Sequence, residues 1–166
     1  MTSYYGWPYR LYVPPSHLDD LKVTRYTTTL RTMTETEQHI SKRIVIFGAT
    51  GDLCKRKLIP ALFELWKKHL LPPDLLIVGA SRRDYTRENW LEHLGNYPED
   101  FYHWLDFVSC DLACEESLNK LHDESMDTTY FLSVPPSTYA DAITNLKKAG
   151  FLDDPERSRV VIEKPF

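Results

Sequence analysis

Lys42-Arg-Ile-Val-Ile-Phe-Gly-Ala-Thr-Gly-Asp-Leu-Cys-Lys-Arg-Lys57 is the stretch that decides the fold. Arg43 to Phe47 form a short apolar, β-branched run without a turn residue. Gly48-Ala-Thr-Gly51-Asp52 follows, and then Leu53, Leu58, Leu62, Phe63 and Trp66 recur at helical spacing. Strand, glycine turn and helix make the opening unit of a dinucleotide-binding fold. Gly48 lets the chain turn tightly out of the strand, and Gly51 removes a Cβ where a pyrophosphate approaches the backbone. The free N–H groups and positive dipole end of the helix then face that anion. The spacing is G-x-x-G-x-x-C rather than G-x-G-x-x-G, with Cys54 where a third small residue allows close helix–strand packing. The alternative reading of the stretch alone is a plain strand-to-helix turn.

Outward from this unit, strands and helices alternate. A helix over about Asp52 to His69 contains Pro60, which predicts a kink or a weakened first half. Leu75 to Val78 form a second strand that runs into Gly79-Ala80-Ser81. Thr86 followed by Glu88 and Asn89 opens a helix with Trp90, Leu91 and Leu94 on one face and Gly95 beyond its end. Trp104 to Val108 are a third strand, Cys114 to His122 a short helix, and Thr128 to Ser133 a fourth strand. Ser137 to Ala149 read as a helix with Tyr139, Ile143 and Leu146 inward and Gly150 at its cap. Arg159 to Glu163 are a fifth strand. This order predicts an α/β fold, a doubly wound parallel sheet of Rossmann type over residues 42–166, incomplete at its C-terminal side. Residues 1–41 differ in composition, with half of the ten tyrosines and a Thr-rich segment. They read as a poorly ordered N-terminal extension, in which Tyr4, Tyr5, Trp7, Tyr9 and Tyr12 also make an aromatic docking patch conceivable.

At 166 residues and a net charge of −4, the chain supports one domain and lacks the basic face of a nucleic-acid binder. It has neither an 18-residue apolar run nor an apolar N-terminal segment, so no membrane span or secretory signal is expected. Cys54, Cys110 and Cys114 form no C-x-x-C pair, which fits a reducing cytoplasm and no metal site.

In parallel sheets of this kind ligands lie across the carboxyl ends of the strands. That edge should carry Gly48 to Lys55, Ser81 to Asp84, Ser133 to Ser137 and Glu163 to Phe166. NAD-binding proteins place a carboxylate at the end of the second strand. Here Ser81, Arg82 and Arg83 come first, with Asp84 beyond them. Paired guanidinium groups suit a 2′-phosphate, so NADP is the expected coenzyme. Lys55, Arg56 and Lys57 in the first turns of the first helix read either as phosphate contacts or as a solvated face. Pro135 and Pro136 fix a loop, Tyr139 is a loop-side or core residue, and Lys164 ends the last strand before Pro165.

Taken together, these stretches resemble the coenzyme domain of glucose-6-phosphate dehydrogenases. The matching pieces are I-V-I-F-G-A-T-G-D-L-C-K-R-K-L-I-P-A-L-F-E-L, I-V-G-A-S-R-R, F-L-S-V-P-P-S-T-Y and V-V-I-E-K-P-F, in family order over roughly residues 42–166. The resemblance implies NADP-dependent oxidation of glucose 6-phosphate at C1 to the lactone, in the pentose phosphate pathway. It implies that Gly48, Ala49, Thr50, Gly51, Asp52, Leu53, Cys54 and Lys55 form the coenzyme phosphate turn and that Arg82 contacts the 2′-phosphate. It places Tyr139 beside the coenzyme, Lys57 as a further basic contact, Lys164 at both coenzyme and substrate, and Pro165 as a hinge. Cys54 stands where the family carries alanine. The family continues beyond E-K-P-F with a substrate motif and a β+α domain that supplies a histidine base. His17, His39, His69, His93, His103 and His122 match no such position. The expectation is therefore a coenzyme-binding part, inactive alone and prone to aggregate, of a protein that is a homo-oligomer at full length. The alternatives are another sugar or polyol oxidoreductase with an E-K-P lysine, and a non-enzymatic nucleotide-binding or docking module.

Overall fold

The structure, a computed structural model, describes residues 41–123 and 125–163. The expected extension over residues 1–41 therefore lies, Ser41 apart, outside the described residues, as do Lys164, Pro165 and Phe166.

Five strands, β1 (Lys42–Phe47), β2 (Leu76–Ser81), β3 (Leu105–Ser109), β4 (Asp127–Leu132) and β5 (Ser158–Ile162), form one sheet in the order β3-β2-β1-β4-β5. Every pairing is parallel. The β-branched runs of β1 and β2 are buried on both faces, as central parallel strands require. Val45 and Phe47 join Val78, Ala80, Tyr130 and Leu132 on one face, beneath Leu118, Leu121, Ala142 and Leu146. Ile46 and Ile77 lie on the other face with Ile59, Trp90, Leu94 and Phe101. The helices are thus split between the two faces: α1 (Ile59–Lys67), α2 (Arg87–Leu94) and α3 (Glu99–Tyr102) against one, α4 (Glu115–Leu118) and α5 (Tyr139–Lys148) against the other. The doubly wound prediction holds.

Several elements differ from the sequence reading. Before α1, Cys54–Leu58 form a π-helical turn in which the Ile59 N–H donates to the Cys54 carbonyl. Pro60 has no N–H to return to Arg56 and its ring crowds that carbonyl, so the preceding turn widens. The α3 turn was not read from the sequence. The helix expected over Cys114 to His122 is a four-residue α4 followed by a 3-10 turn, Asn119–Leu121. The inward stripe of α5 is offset: Ala142 and Leu146 are buried, whereas Ile143 is 37% exposed. Along the edge strand β5, Val161 and Ile162 are exposed as well.

Two helix ends show the same closure with different residues. After α5 the Phe151 N–H reaches the Leu146 carbonyl and Gly150 N–H reaches Lys147, with Gly150 at φ +80°. After α1 the Leu70 N–H reaches Leu65 and His69 N–H reaches Trp66, but His69 holds the left-handed position at φ +54°. A side chain there costs about 1–2 kcal/mol that glycine does not incur. His69→Gly should accordingly raise stability by about 1 kcal/mol, read as a higher denaturant midpoint at unchanged slope. A lower midpoint would refute this reading of the cap.

Candidate functional site

The glycine turn is held from three sides. Gly48 and Ala49 N–H groups both donate to the Ala80 carbonyl at the end of β2 (2.9 and 3.2 Å), and Gly51 N–H closes back on Gly48 (2.9 Å). Gly48 has φ +81°, and a Cβ there would lie 2.2 Å from the Ser133 carbonyl oxygen. From behind, the fully buried Trp90 lies across Gly79 of β2, where a Cβ would fall 2.5 Å from the indole. Trp90 Nε1 donates to the Ala49 carbonyl at 3.0 Å, so α2 pins the turn as well. Among the described residues, the Thr50, Asp52 and Leu53 N–H groups have no backbone carbonyl partner. Orphan N–H groups at a helix start are suited to an anion.

In front of this turn lies a cleft of about 460 Å³. It is bounded by Gly48, Thr50 and Gly51 after β1, and by Ser81, Arg82 and Arg83 after β2. Cys110 to Ala113 after β3 and Ser133 to Pro135 after β4 complete the edge, with Asp141 and Asn145 of α5 on one side. All four loops leave carboxyl ends of parallel strands. The two arginines are exposed at the surface of the cleft. Ser133 Oγ is buried with no hydrogen-bond partner among the described residues. Space for a ligand much larger than a phosphate, free N–H donors and two guanidinium groups together fit a dinucleotide.

Of the residues singled out in the sequence, Gly48, Thr50, Gly51 and Arg82 line this cleft. Ala49 and Cys54 are wholly buried beneath it. Asp52 is exposed and 3.6 Å from Arg56, while Leu53, Lys55 and Lys57 belong to the helix start without lining the cleft. Tyr139 is half-buried, and its hydroxyl donates to the Glu163 carbonyl at 3.4 Å, immediately before Lys164. Lys164 itself lies outside the described residues. The sequence reading missed the β3 wall. Cys110 to Ala113 are ordinary residues, but the carboxyl-edge rule applied to the third strand points to them. That wall is a tight loop: Ala113 N–H bonds the Asp111 carboxylate at 3.0 Å, Ser117 Oγ accepts from Asp111 N–H, and Asn145 Nδ2 donates to the Leu112 carbonyl.

Burial pushes the Cys54 thiol up to about 12 and raises that of Cys110, whereas Cys114 is exposed. Since the thiolate is the nucleophile, alkylation of the folded protein at pH 8 should label Cys114 and spare Cys54. Labelling of Cys54 as fast as Cys114, mapped by mass spectrometry, would contradict the packing role of Cys54. Among the described residues there is no cluster of three metal-ligating side chains and no helix long and apolar enough to cross a membrane.

Comparison with known proteins agrees with this geometry. The family profile described as glucose-6-phosphate dehydrogenase, NAD binding domain, matches residues 45–166. The glucose-6-phosphate 1-dehydrogenase of Borreliella burgdorferi is 36% identical over 135 residues, covering 74% of this chain and 28% of the relative. That of Bacillus subtilis is 30% identical over 151 residues, covering 80% and 31%. The crystal structure of the Mycobacterium avium enzyme superposes with a TM-score of 0.66 at 31% identity, over 77% of this chain and 30% of that one. A glucose-6-phosphate dehydrogenase solved in complex with glucose 6-phosphate gives 0.63 at 26% identity, over 76% and 31%. This chain thus spans about three-tenths of the length of the relatives it matches. The chain belongs to the glucose-6-phosphate dehydrogenase family and carries its NAD-binding domain.

Proposed function

We propose that this chain binds NADP across the carboxyl edge of its sheet and serves the oxidation of glucose 6-phosphate to 6-phosphoglucono-lactone in the longer protein of its family. The observation that carries the reading is the cleft shared by the Gly48–Gly51 turn and the Arg82–Arg83 pair. The turn presents N–H groups to the pyrophosphate. The arginines stand where an NAD-binding domain carries a carboxylate, and their charge favours the 2′-phosphate that distinguishes NADP. Lys164 comes two residues after β5 ends at Ile162 in the sequence, and we assign it to both coenzyme and sugar phosphate. Tyr139 anchors the strand exit that leads to it. Hydride acceptance from C1 is the chemistry NADP supplies when bound. Oxidation also requires a base for the C1 hydroxyl proton, and we assign no residue of this chain to that role.

Retention on immobilised 2′,5′-ADP tests the coenzyme assignment. The chain should be held by the matrix and released by NADP, not by the same concentration of NAD. Passage straight through, or equal release by NAD, would overturn it.

A further inference from the structure

Resting on that coenzyme reading, we propose that Ser81 is a positioning residue that couples the pyrophosphate turn to the 2′-phosphate turn. Ser81 is the last residue of β2 and only 8% exposed, yet it lines the cleft. Its hydroxyl reaches both turns. It accepts the Arg83 backbone N–H at 3.1 Å, and it lies 3.0 Å from Thr50 Oγ1. Thr50 and Ser81 are 31 residues apart in sequence, so this contact is a strut between two loops rather than a local turn.

A hydroxyl has one proton and two acceptor positions. The Arg83 N–H occupies one acceptor position of Ser81, so the Thr50–Ser81 bond can run in either direction, and an anion in the cleft selects the one in which Ser81 donates its proton to Thr50 Oγ1. Thr50 then accepts from Ser81, and its own proton is left for an acceptor in the cleft it lines. The resulting chain of donors runs from Arg83 N–H through Ser81 and Thr50 to a ligand phosphate, and such chains polarise in the direction of the anion. Ser81 thus acts at both ends. It aims the Thr50 hydroxyl at a phosphate common to NAD and NADP, and it fixes the backbone that carries the arginines, which only NADP uses fully.

Dissociation constants for NADP and NAD on the full 166-residue chain separate the two effects. Thr50→Val keeps the shape and removes the hydroxyl. It should weaken both coenzymes by about the same factor, near tenfold, whereas Thr50→Ser should bind as the parent does. Ser81→Ala should weaken NAD about as much as Thr50→Val and NADP several-fold more, with the melting temperature within a few degrees of the parent. On a Thr50→Val background, Ser81→Ala should change NAD binding no further, yet still weaken NADP. A purely structural role would lower stability without splitting the two coenzymes. Parent-like binding by Ser81→Ala, or additive losses for NAD in the double variant, would overturn the Ser81 assignment while leaving the coenzyme reading intact. Should Ser81→Ala fail to fold, unequal NADP and NAD losses in Thr50→Val, or failure of Thr50→Ser to restore binding, would overturn it instead. If the parent chain binds neither coenzyme, the coenzyme reading falls and this assignment with it.

Discussion

Gly48→Ala should leave the domain without a stable fold. At φ +81° an alanine costs about 1–2 kcal/mol in backbone strain alone. Its Cβ would also stand 2.2 Å from the Ser133 carbonyl oxygen and 2.9 Å from the carbonyl carbon. Neither partner has room to retreat. Ser133 N–H is bonded to the Phe47 carbonyl at 2.9 Å, and β1 and β4 are paired in register from Lys42–Asp127 to Phe47–Leu132. Ordinary overpacking costs about 1–3 kcal/mol. A backbone clash between the two central strands exceeds that, so the total should pass about 4 kcal/mol, against a typical domain stability of about 5–15 kcal/mol. Chemical denaturation should show no cooperative transition, or a midpoint far below that of the parent. Gly51→Ala is the contrast. Its Cβ would meet only the Gly48 carbonyl at 3.1 Å, and its φ is ordinary. It should fold, and its defect should appear as weakened anion binding in the turn. A Gly48→Ala protein as stable as the parent would mean that the β1 exit and the β4 exit are not packed as described.

Replacing both Arg82 and Arg83 with alanine should reduce NADP affinity by roughly a hundredfold or more and leave NAD affinity within about threefold. Each charge-assisted hydrogen bond to a phosphate contributes about 1.5–3 kcal/mol, and 1.4 kcal/mol is tenfold in binding. Both side chains are exposed at the cleft, so their removal opens no cavity and the fold should be unaffected. Raising the salt concentration should weaken NADP binding to the parent more than to the double variant, because screening acts on the charges removed. Equal losses for NADP and NAD would show that the pair acts on the shared pyrophosphate rather than on the 2′-phosphate.

The parts of this fold that could be read from the sequence are those governed by local rules. Periodicity located all five strands, and the turn chemistry of Gly48, Thr86, Gly95 and Gly150 marked where elements begin and end. Cys54 was readable as the third small residue of the motif, and it is wholly buried where helix meets strand. The features that escaped depend on contacts distant in sequence or on too few residues. The four-residue α3 is too short for a period to show. It is held by Phe101 packed among Phe63, Trp66 and Tyr97 from other segments. Pro60 announced a disturbed helix, but the widened π turn depends on how the flanking residues repack. Ile143 satisfied the helical stripe and yet lies toward the surface, because Ala142 is the residue that fits against the sheet. In the site, the glycine turn and the arginines were visible as motifs. The β3 wall, the orphan Ser133 hydroxyl and the Thr50–Ser81 contact arise only when the carboxyl ends converge.

The convergence of the Gly48–Gly51 turn with Arg82 and Arg83 is proposed to make this chain an NADP-selective coenzyme domain. Titration of the chain with NADP and with NAD tests it most directly, followed by tryptophan fluorescence because Trp90 is bonded to the turn through the Ala49 carbonyl. Both should bind saturably, with NADP at least tenfold tighter. NAD binding equal to or tighter than NADP, or no saturable binding of either, would contradict it.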